Sequence, residues 1–170
     1  MTYFSRKNEY VTEYSGHEEV AKPLRDRILS VINKYVGTNY NNSFGDNDPW
    51  SVEPEDFIHE TRKEFPTKDP FVIIKEGEFH EVFTVVEIFL DLRRKIYYTR
   101  RDDSLVEIFQ AFQLSGSVYS INREGAIELK IDKDAAEKID SIKPILAPYP
   151  EFSHRFFQAV GNLVGRRAKP

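Results

Sequence analysis

Apolar residues recur at three- and four-residue spacing in several parts of the chain, and this spacing predicts amphipathic helices. The first predicted helix runs from Pro23 to Val36, because proline suits a first helical turn and Gly37 suits the position just past the end. A second helix is predicted from Pro54 to Phe65, where Pro66 stops it. Residues 71–74 are apolar but too few to assign.

The longest apolar stripe predicts the helix at the centre of the core, from Phe79 to Tyr97. The positions that share its main face are Phe79, Val82, Phe83, Val86, Phe89, Leu90, Arg93 and Tyr97. A further helix is predicted after it, with Asp102 or Asp103 as its N-terminal cap and Ser115-Gly116 at its end.

After this helix the apolar positions change from the helical repeat to a two-residue alternation, which is typical of strands. The alternation covers Val118 to Ile121 and Ala126 to Ile131, and the turn formers between them predict a β-hairpin. Helices follow from Asp132 to Ile142 and around Phe152 to Val164. The predicted fold class is α+β and predominantly helical, with a winged-helix-like β-hairpin in the C-terminal half.

Residues 1–165 are predicted to form a single compact domain, with 166–170 as a linker or tail. The 170 residues, 40% of them hydrophobic, are enough to bury a sizeable core. The absence of cysteine excludes disulfides, thiolate nucleophiles and cysteine-ligated metals. No apolar run reaches the length of a membrane span, and the expected location is the cytoplasm, without membrane partners.

The sequence predicts no catalytic residue, no cofactor and no metal site. The histidines His17, His59, His80 and His154 are dispersed, and no phosphate-binding or nucleophile-elbow motif occurs. A third interpretation is a metal-dependent nuclease centred on Glu128 and Lys130, which match the Glu-x-Lys spacing of restriction-type enzymes. The preceding strand offers no carboxylate, and a solvated Glu-Lys pair on one strand face, which is common in hairpins, is the favoured interpretation.

A cluster of cations and tyrosines ends the predicted core helix, although the net charge of the chain is −4. Such a cluster binds phosphates and stacks on bases in nucleic-acid-binding proteins. The stronger interpretation is that these cations complement the carbonyl end of the helix dipole. The candidate nucleic-acid-binding residues are Arg93, Arg94, Lys95, Tyr97, Tyr98, Arg100 and Arg101, with Arg123 at the hairpin turn.

The polar segment 37–50 carries the aromatic residues Tyr40, Phe44 and Trp50. Exposed aromatics give a large contact area at a small entropic cost, which is typical of protein interfaces. The three side chains are therefore candidate interface residues. Packing of the same rings onto the core is the alternative.

Three segments of the chain resemble the N-terminal domains of AbiJ-like abortive-infection proteins. They are Tyr3 to Lys7, Pro23 to Ile28, and Ser104 to Gly125. In the third segment, the family pattern has three parts: a helix that runs from an acidic residue to a phenylalanine, a strand of the form small-Gly-x-x-Tyr, and a turn that contains glycine. These parts are matched here by Glu107, Phe112, Ser115-Gly116, Tyr119 and Gly125.

The resemblance implies a bacterial antiphage protein in which this domain senses or regulates and a second domain acts. In that family the partner is a C-terminal HEPN ribonuclease domain, whose motif is Arg followed after four to six residues by His. No histidine of this chain has an arginine at that spacing. The expected function is therefore a non-catalytic regulatory module with an effector partner, and the alternative is a nucleic-acid-binding module.

Overall fold

The computed structural model describes residues 19–37, 51–96, 103–115 and 117–167. Within these ranges the fold is predominantly helical, with seven helices and one two-stranded antiparallel sheet. The predicted mixture of helices with one β-hairpin is thus confirmed. The elements are α1 (Lys22–Tyr35), α2 (Pro54–Glu64), α3 (Pro70–Glu76), α4 (Phe79–Ile96), α5 (Asp103–Leu114), β1 (Tyr119–Ile121), β2 (Ile127–Leu129), α6 (Lys133–Leu146) and α7 (Pro150–Arg167).

Helix α4 is the centre of the core, as its apolar stripe predicts. Every residue from Glu81 to Leu90 is buried, because α2, α3 and α5 pack around the helix and the β-hairpin covers one further side. The ring of Phe83 lies 4.9 Å from that of Tyr119 in β1 and 5.5 Å from that of Phe112 in α5, measured between centroids. A helix apolar on most of its circumference is stable only when enclosed in this way.

Helix α1 packs against α5 and α3 through Leu24, Ile28 and Ile32, the apolar positions that predict it. The side chain of Arg25 fixes its start. The guanidinium donates to the carbonyl oxygens of Ile74 and Gly77, at 3.1 and 2.8 Å. These acceptors lie at the C-terminus of α3, where helix carbonyls have no partner within the helix.

Helix α3 contains the residues 71–74 that periodicity leaves unassigned. It has seven residues, too few for a repeat to be visible. Its local signal is a cap: the carboxylate of Asp69 accepts from the backbone N–H groups of Phe71 and Val72, and Pro70 occupies the first helical turn. Ile73 and Ile74 are buried as a result.

The β-hairpin has the predicted turn and slightly shorter strands. Tyr119 pairs with Leu129, and Ile121 pairs with Ile127. The amide oxygen of Asn122 accepts from the N–H groups of Glu124 and Ala126, both at 3.0 Å, and this closes the turn. Gly125 has a φ of +82°, a conformation that residues with a Cβ rarely adopt.

Helices α6 and α7 form a helical hairpin at the C-terminal side of the described chain. Helix α6 continues past its predicted end at Ile142 and includes Pro144. Proline has no backbone N–H group, so the helical hydrogen bond that this residue would donate is lost. Because the proline lies in the last turn, only a few residues of helix follow the missing bond. Helix α7 runs to Arg167, so the first two residues of the predicted tail are helical. In the described ranges, no helix combines the length and apolar content that a membrane crossing requires.

Candidate functional site

The predicted basic cluster is divided by the fold. Arg94 and Lys95 are exposed in the last turn of α4, and Arg123 is exposed at the turn of the β-hairpin. The hairpin turn packs on this end of α4: a Cβ placed on Gly125 would lie 3.1 Å from Nη2 of Arg94 and 3.4 Å from Cβ of Leu90. Cations from two elements therefore occupy one edge of the fold, which we call the basic edge (Arg94, Lys95 and Arg123).

Arg93 is not part of this surface. Its side chain is only 2% exposed. The guanidinium lies over the ring of Tyr35, and Nε donates to Oγ of Ser104 at 3.2 Å. The prediction that Arg93 contacts nucleic acid is therefore corrected. The helical repeat contained the signal, because it placed Arg93 on the same face as the buried Phe89 and Leu90.

The other members of the predicted cluster fall into two groups: Lys95, which the structure describes, and four residues that it does not. Lys95 pairs with Asp91 one turn earlier, at 3.3 Å, so part of its charge is compensated. Four members lie outside the described residues: Tyr97, Tyr98, Arg100 and Arg101.

A polar cluster joins the end of α1 to α5 and contacts α4 through Arg93. The hydroxyl of Tyr35 donates to Oε1 of Glu107 at 3.1 Å, and Nζ of Lys34 donates to the same oxygen at 2.6 Å. Burial raises the pKa of Tyr35, and the hydrogen bond to Glu107 raises the pKa of Lys34. The hydroxyl of Tyr35 and the ammonium of Lys34 thus keep their protons and act as donors to this carboxylate.

The same end of α1 holds the start of the predicted aromatic segment. The N–H of Gly37 donates to the carbonyl of Val52 at 2.9 Å, and the N–H of Val52 donates to that of Tyr35 at 2.9 Å. These bonds bring the two described flanks of the segment together. Its candidate interface residues, Tyr40, Phe44 and Trp50, lie outside the described residues.

The turn between α6 and α7 carries an exposed apolar surface, which we call the hairpin tip (Ile145, Tyr149 and Phe152). These side chains are 68%, 65% and 63% exposed, respectively. Tyr149 and Phe152 also line a shallow open cleft together with Pro148, Pro150, Glu151 and Arg155. Sequence periodicity treats Phe152 as one member of a core-facing stripe, so it does not distinguish this surface from a buried one.

Glu128 and Lys130, the candidate residues of the nuclease interpretation, both form hydrogen bonds to nearby residues of the chain. Oε1 of Glu128 accepts from the side-chain amide of Asn122 at 2.7 Å. Nζ of Lys130 donates to the carbonyl of Ser117 at 3.1 Å, and burial lowers the pKa of this lysine. Among the described residues, no group of three or more His, Asp or Glu side chains is placed to hold a metal ion.

Comparison of the chain with models of known protein families finds no match. Comparisons with curated proteins and with solved structures also find none.

Proposed function

We propose that this chain is a non-catalytic sensor or regulatory module, which controls an attached or partner effector through a protein contact at the hairpin tip. The observation that carries the proposal is the exposure of Ile145, Tyr149 and Phe152 within eight residues. Clustered apolar side chains in water are typical of interaction sites, and aromatic residues are enriched where proteins bind each other.

The hairpin tip is separate from the packing that forms the fold. The buried residues of the described chain centre on α4, and Ala136 is the only described residue of α6 or α7 among them. Folding of the core therefore gives no reason for large apolar side chains at the tip. A binding role supplies that reason, since a partner would remove these side chains from water.

The resemblance to AbiJ-like N-terminal domains agrees with this role. In that family such a domain precedes a HEPN ribonuclease domain, and the effector proposed here is a ribonuclease of that kind in a bacterial antiphage system. The chain itself has no histidine at the required spacing from an arginine. On this proposal, catalysis belongs to the effector and control belongs to this module.

A photo-crosslinking residue at position 152 tests the proposal in living cells. Leu114 provides the matched control, because it is also apolar and 70% exposed but lies on α5. The expected result is one discrete crosslinked protein from position 152, identified by mass spectrometry, and none from position 114. The same diffuse products from both positions, or no product at position 152, would contradict a protein contact at the tip.

A nucleic-acid-binding, winged-helix-like module is the second candidate. It is favoured by the packing of the hairpin turn on the last turns of α4, since Arg94 and Arg123 then lie at one edge. Helix α5 leads directly into this hairpin and packs against β1, as a helix and its wing would. A wing contacts the backbone of a duplex through cations at its turn.

Fluorescence anisotropy with short single-stranded RNA, single-stranded DNA and duplex DNA, at low and physiological salt, tests this candidate. The double variant Arg94→Ser/Arg123→Ser removes two cations of the basic edge, and Arg62→Ser removes an exposed cation of α2 as control. If the basic edge binds phosphates, each lost contact reduces the salt slope on a single strand by about 0.7. No binding at low salt, or equal slopes for both variants, would exclude the candidate.

A further inference from the structure

The cleft at the hairpin tip has room for a short peptide segment. Its volume is about 520 Å³, within the range of about 300 to 1,000 Å³ that is typical of ligand sites. Tyr149 and Phe152, together with Pro148 and Pro150, supply its apolar lining. Two turns of helix, about 11 Å long and about 10 Å across, would occupy about 850 Å³. The cleft therefore fits a few residues of extended chain better than it fits a docked helix.

The cleft also presents hydrogen-bond donors that bind no described residue. They are the hydroxyl of Tyr149 and the guanidinium of Arg155, and both groups donate to carbonyl oxygens. A helix uses its carbonyl oxygens internally, whereas a polyproline II segment has no internal hydrogen bonds and leaves its carbonyl oxygens free. The cleft lies at the turn between α6 and α7, so it offers no sheet edge on which a partner could add a strand.

We infer that the cleft binds a proline-rich segment of the effector in the polyproline II conformation. Such segments dock on grooves lined by aromatic side chains, and they lose little conformational entropy because proline fixes the backbone beforehand. Tyr149 and Phe152 contact the proline rings, while Tyr149 and Arg155 donate to the carbonyl oxygens. The inference rests on the proposed function, because it states which chemistry of the effector meets the hairpin tip.

Two opposite charges at the cleft define the residues that flank the prolines. Glu151 and Arg155 stand four residues apart on α7 with the acid first, the order that most favours an ion pair on a helix. Charges at this spacing do pair in α1, where Lys22 lies 2.6 Å from Asp26. Glu151 and Arg155 pair with no described residue, so both charges are available to a ligand. The complementary segment carries a basic and an acidic residue one polyproline II turn apart, about 9 Å.

Fluorescence anisotropy of the full chain with the labelled peptide Pro-Pro-Arg-Pro-Pro-Glu-Pro-Pro tests the inference. The matched control peptide, Ala-Ala-Arg-Ala-Ala-Glu-Ala-Ala, keeps both charges and replaces every proline. The expected result is saturable binding of the proline peptide and binding of the alanine peptide that is about tenfold weaker. Equal binding of the two peptides would overturn the inference. Binding of neither would also overturn it, because a different occupant, such as a helical ligand, a second copy or another part of the chain, would then account for the cleft.

Variants of the chain locate the peptide. Phe152→Ser should weaken binding of the proline peptide by about tenfold, the effect of losing a central aromatic residue. Leu114→Ser, on α5, should leave it unchanged, although that side chain is equally exposed. Glu151→Gln and Arg155→Gln should each weaken binding by about threefold at low salt and by less at high salt, because exposed ion pairs are screened. Equal effects of Phe152→Ser and Leu114→Ser would place the peptide elsewhere and overturn the inference.

The crosslink from position 152 distinguishes this inference from the proposed function. Mass spectrometry of the crosslinked protein should place the attachment within a proline-rich segment. A discrete crosslinked protein that is attached elsewhere, or that is found although the peptide does not bind, would overturn the proline-rich ligand and retain the protein contact. Binding of the peptide without any crosslinked protein would support the ligand class and contradict the effector.

Discussion

The guanidinium of Arg93 lies over the ring of Tyr35, with 4.4 Å between the guanidinium carbon and the ring centroid. Tyr35 ends α1 and Arg93 lies near the end of α4, so this contact joins two helices that are far apart in sequence. The hydroxyl of the same tyrosine donates to Glu107 of α5. Tyr35 of α1 therefore connects three helices: its ring contacts α4, and its hydroxyl contacts α5.

Substitutions at Tyr35 should separate the two contributions. Tyr35→Phe keeps the ring and loses one hydrogen bond, which should lower the free energy of unfolding by about 1 kcal/mol. Tyr35→Leu also loses the ring beneath a desolvated cation, which should cost about 2 kcal/mol more. Urea unfolding followed by far-UV circular dichroism measures both. Equal losses in the two variants would show that the ring contact contributes nothing.

Glu87 should hold the β-hairpin on α4. Its Oε1 accepts from the N–H of Ile127 at 2.8 Å, and both residues are buried. Glu87→Ala leaves that N–H without its carboxylate acceptor and should cost about 2 kcal/mol. Glu87→Gln keeps an oxygen at this position and should cost less. Amide hydrogen exchange at Ile127 should be faster in the alanine variant than in the glutamine variant, and the opposite order would contradict this role.

Gly125 should be the position of the hairpin turn that tolerates a side chain least. Its φ of +82° is strained for alanine, and the added Cβ would approach Arg94 and Leu90. Gly125→Ala should therefore cost about 1 to 2 kcal/mol. Arg123→Ala, at an exposed position of the same turn, should be close to neutral. Thermal unfolding of both variants decides the point, and similar midpoints would show that the turn adapts.

Lys130 should make stability depend on alkaline pH. Burial lowers its pKa in the folded chain below the ordinary value of 10.5. Between the lowered pKa and 10.5, the unfolded chain therefore binds more protons than the folded chain, and stability rises with pH. Lys130→Met removes this contribution. The free energy of unfolding of the wild type should accordingly gain on that of the variant as pH increases through this window, and parallel curves would contradict the prediction.

Elements with a long repeat or a distinctive turn were predictable from the sequence. Helix α4 has eighteen residues, so its apolar spacing repeats several times. The β-hairpin combines a two-residue alternation with the Asn122 to Gly125 turn. Helix α3 was left unassigned because its seven residues span only about two helical turns. The cap formed by Asp69 and Pro70 was a local signal that periodicity ignores.

The candidate surfaces were harder to predict, because exposure depends on tertiary packing. Arg93 and Arg94 are neighbours in sequence, yet one is enclosed between α1 and α5 and the other is exposed. A cation count does not separate them, whereas their positions around the helix do. Phe152 continues an apolar stripe that would be buried in a helix with a partner. Its exposure follows from the position of α7 beyond the core, which no local pattern encodes.

The contacts between α1 and α5 join residues that are synthesised far apart in time. Arg27 meets Ser115, 88 residues later, and Lys34 meets Glu107, 73 residues later. At about 5 to 20 residues per second, several seconds of synthesis separate these partners. Throughout that interval the apolar stripe of α1, with Leu24, Ile28 and Ile32, has no α5 to cover it. Helix α1 can therefore complete its part of the core only after α5 has been synthesised.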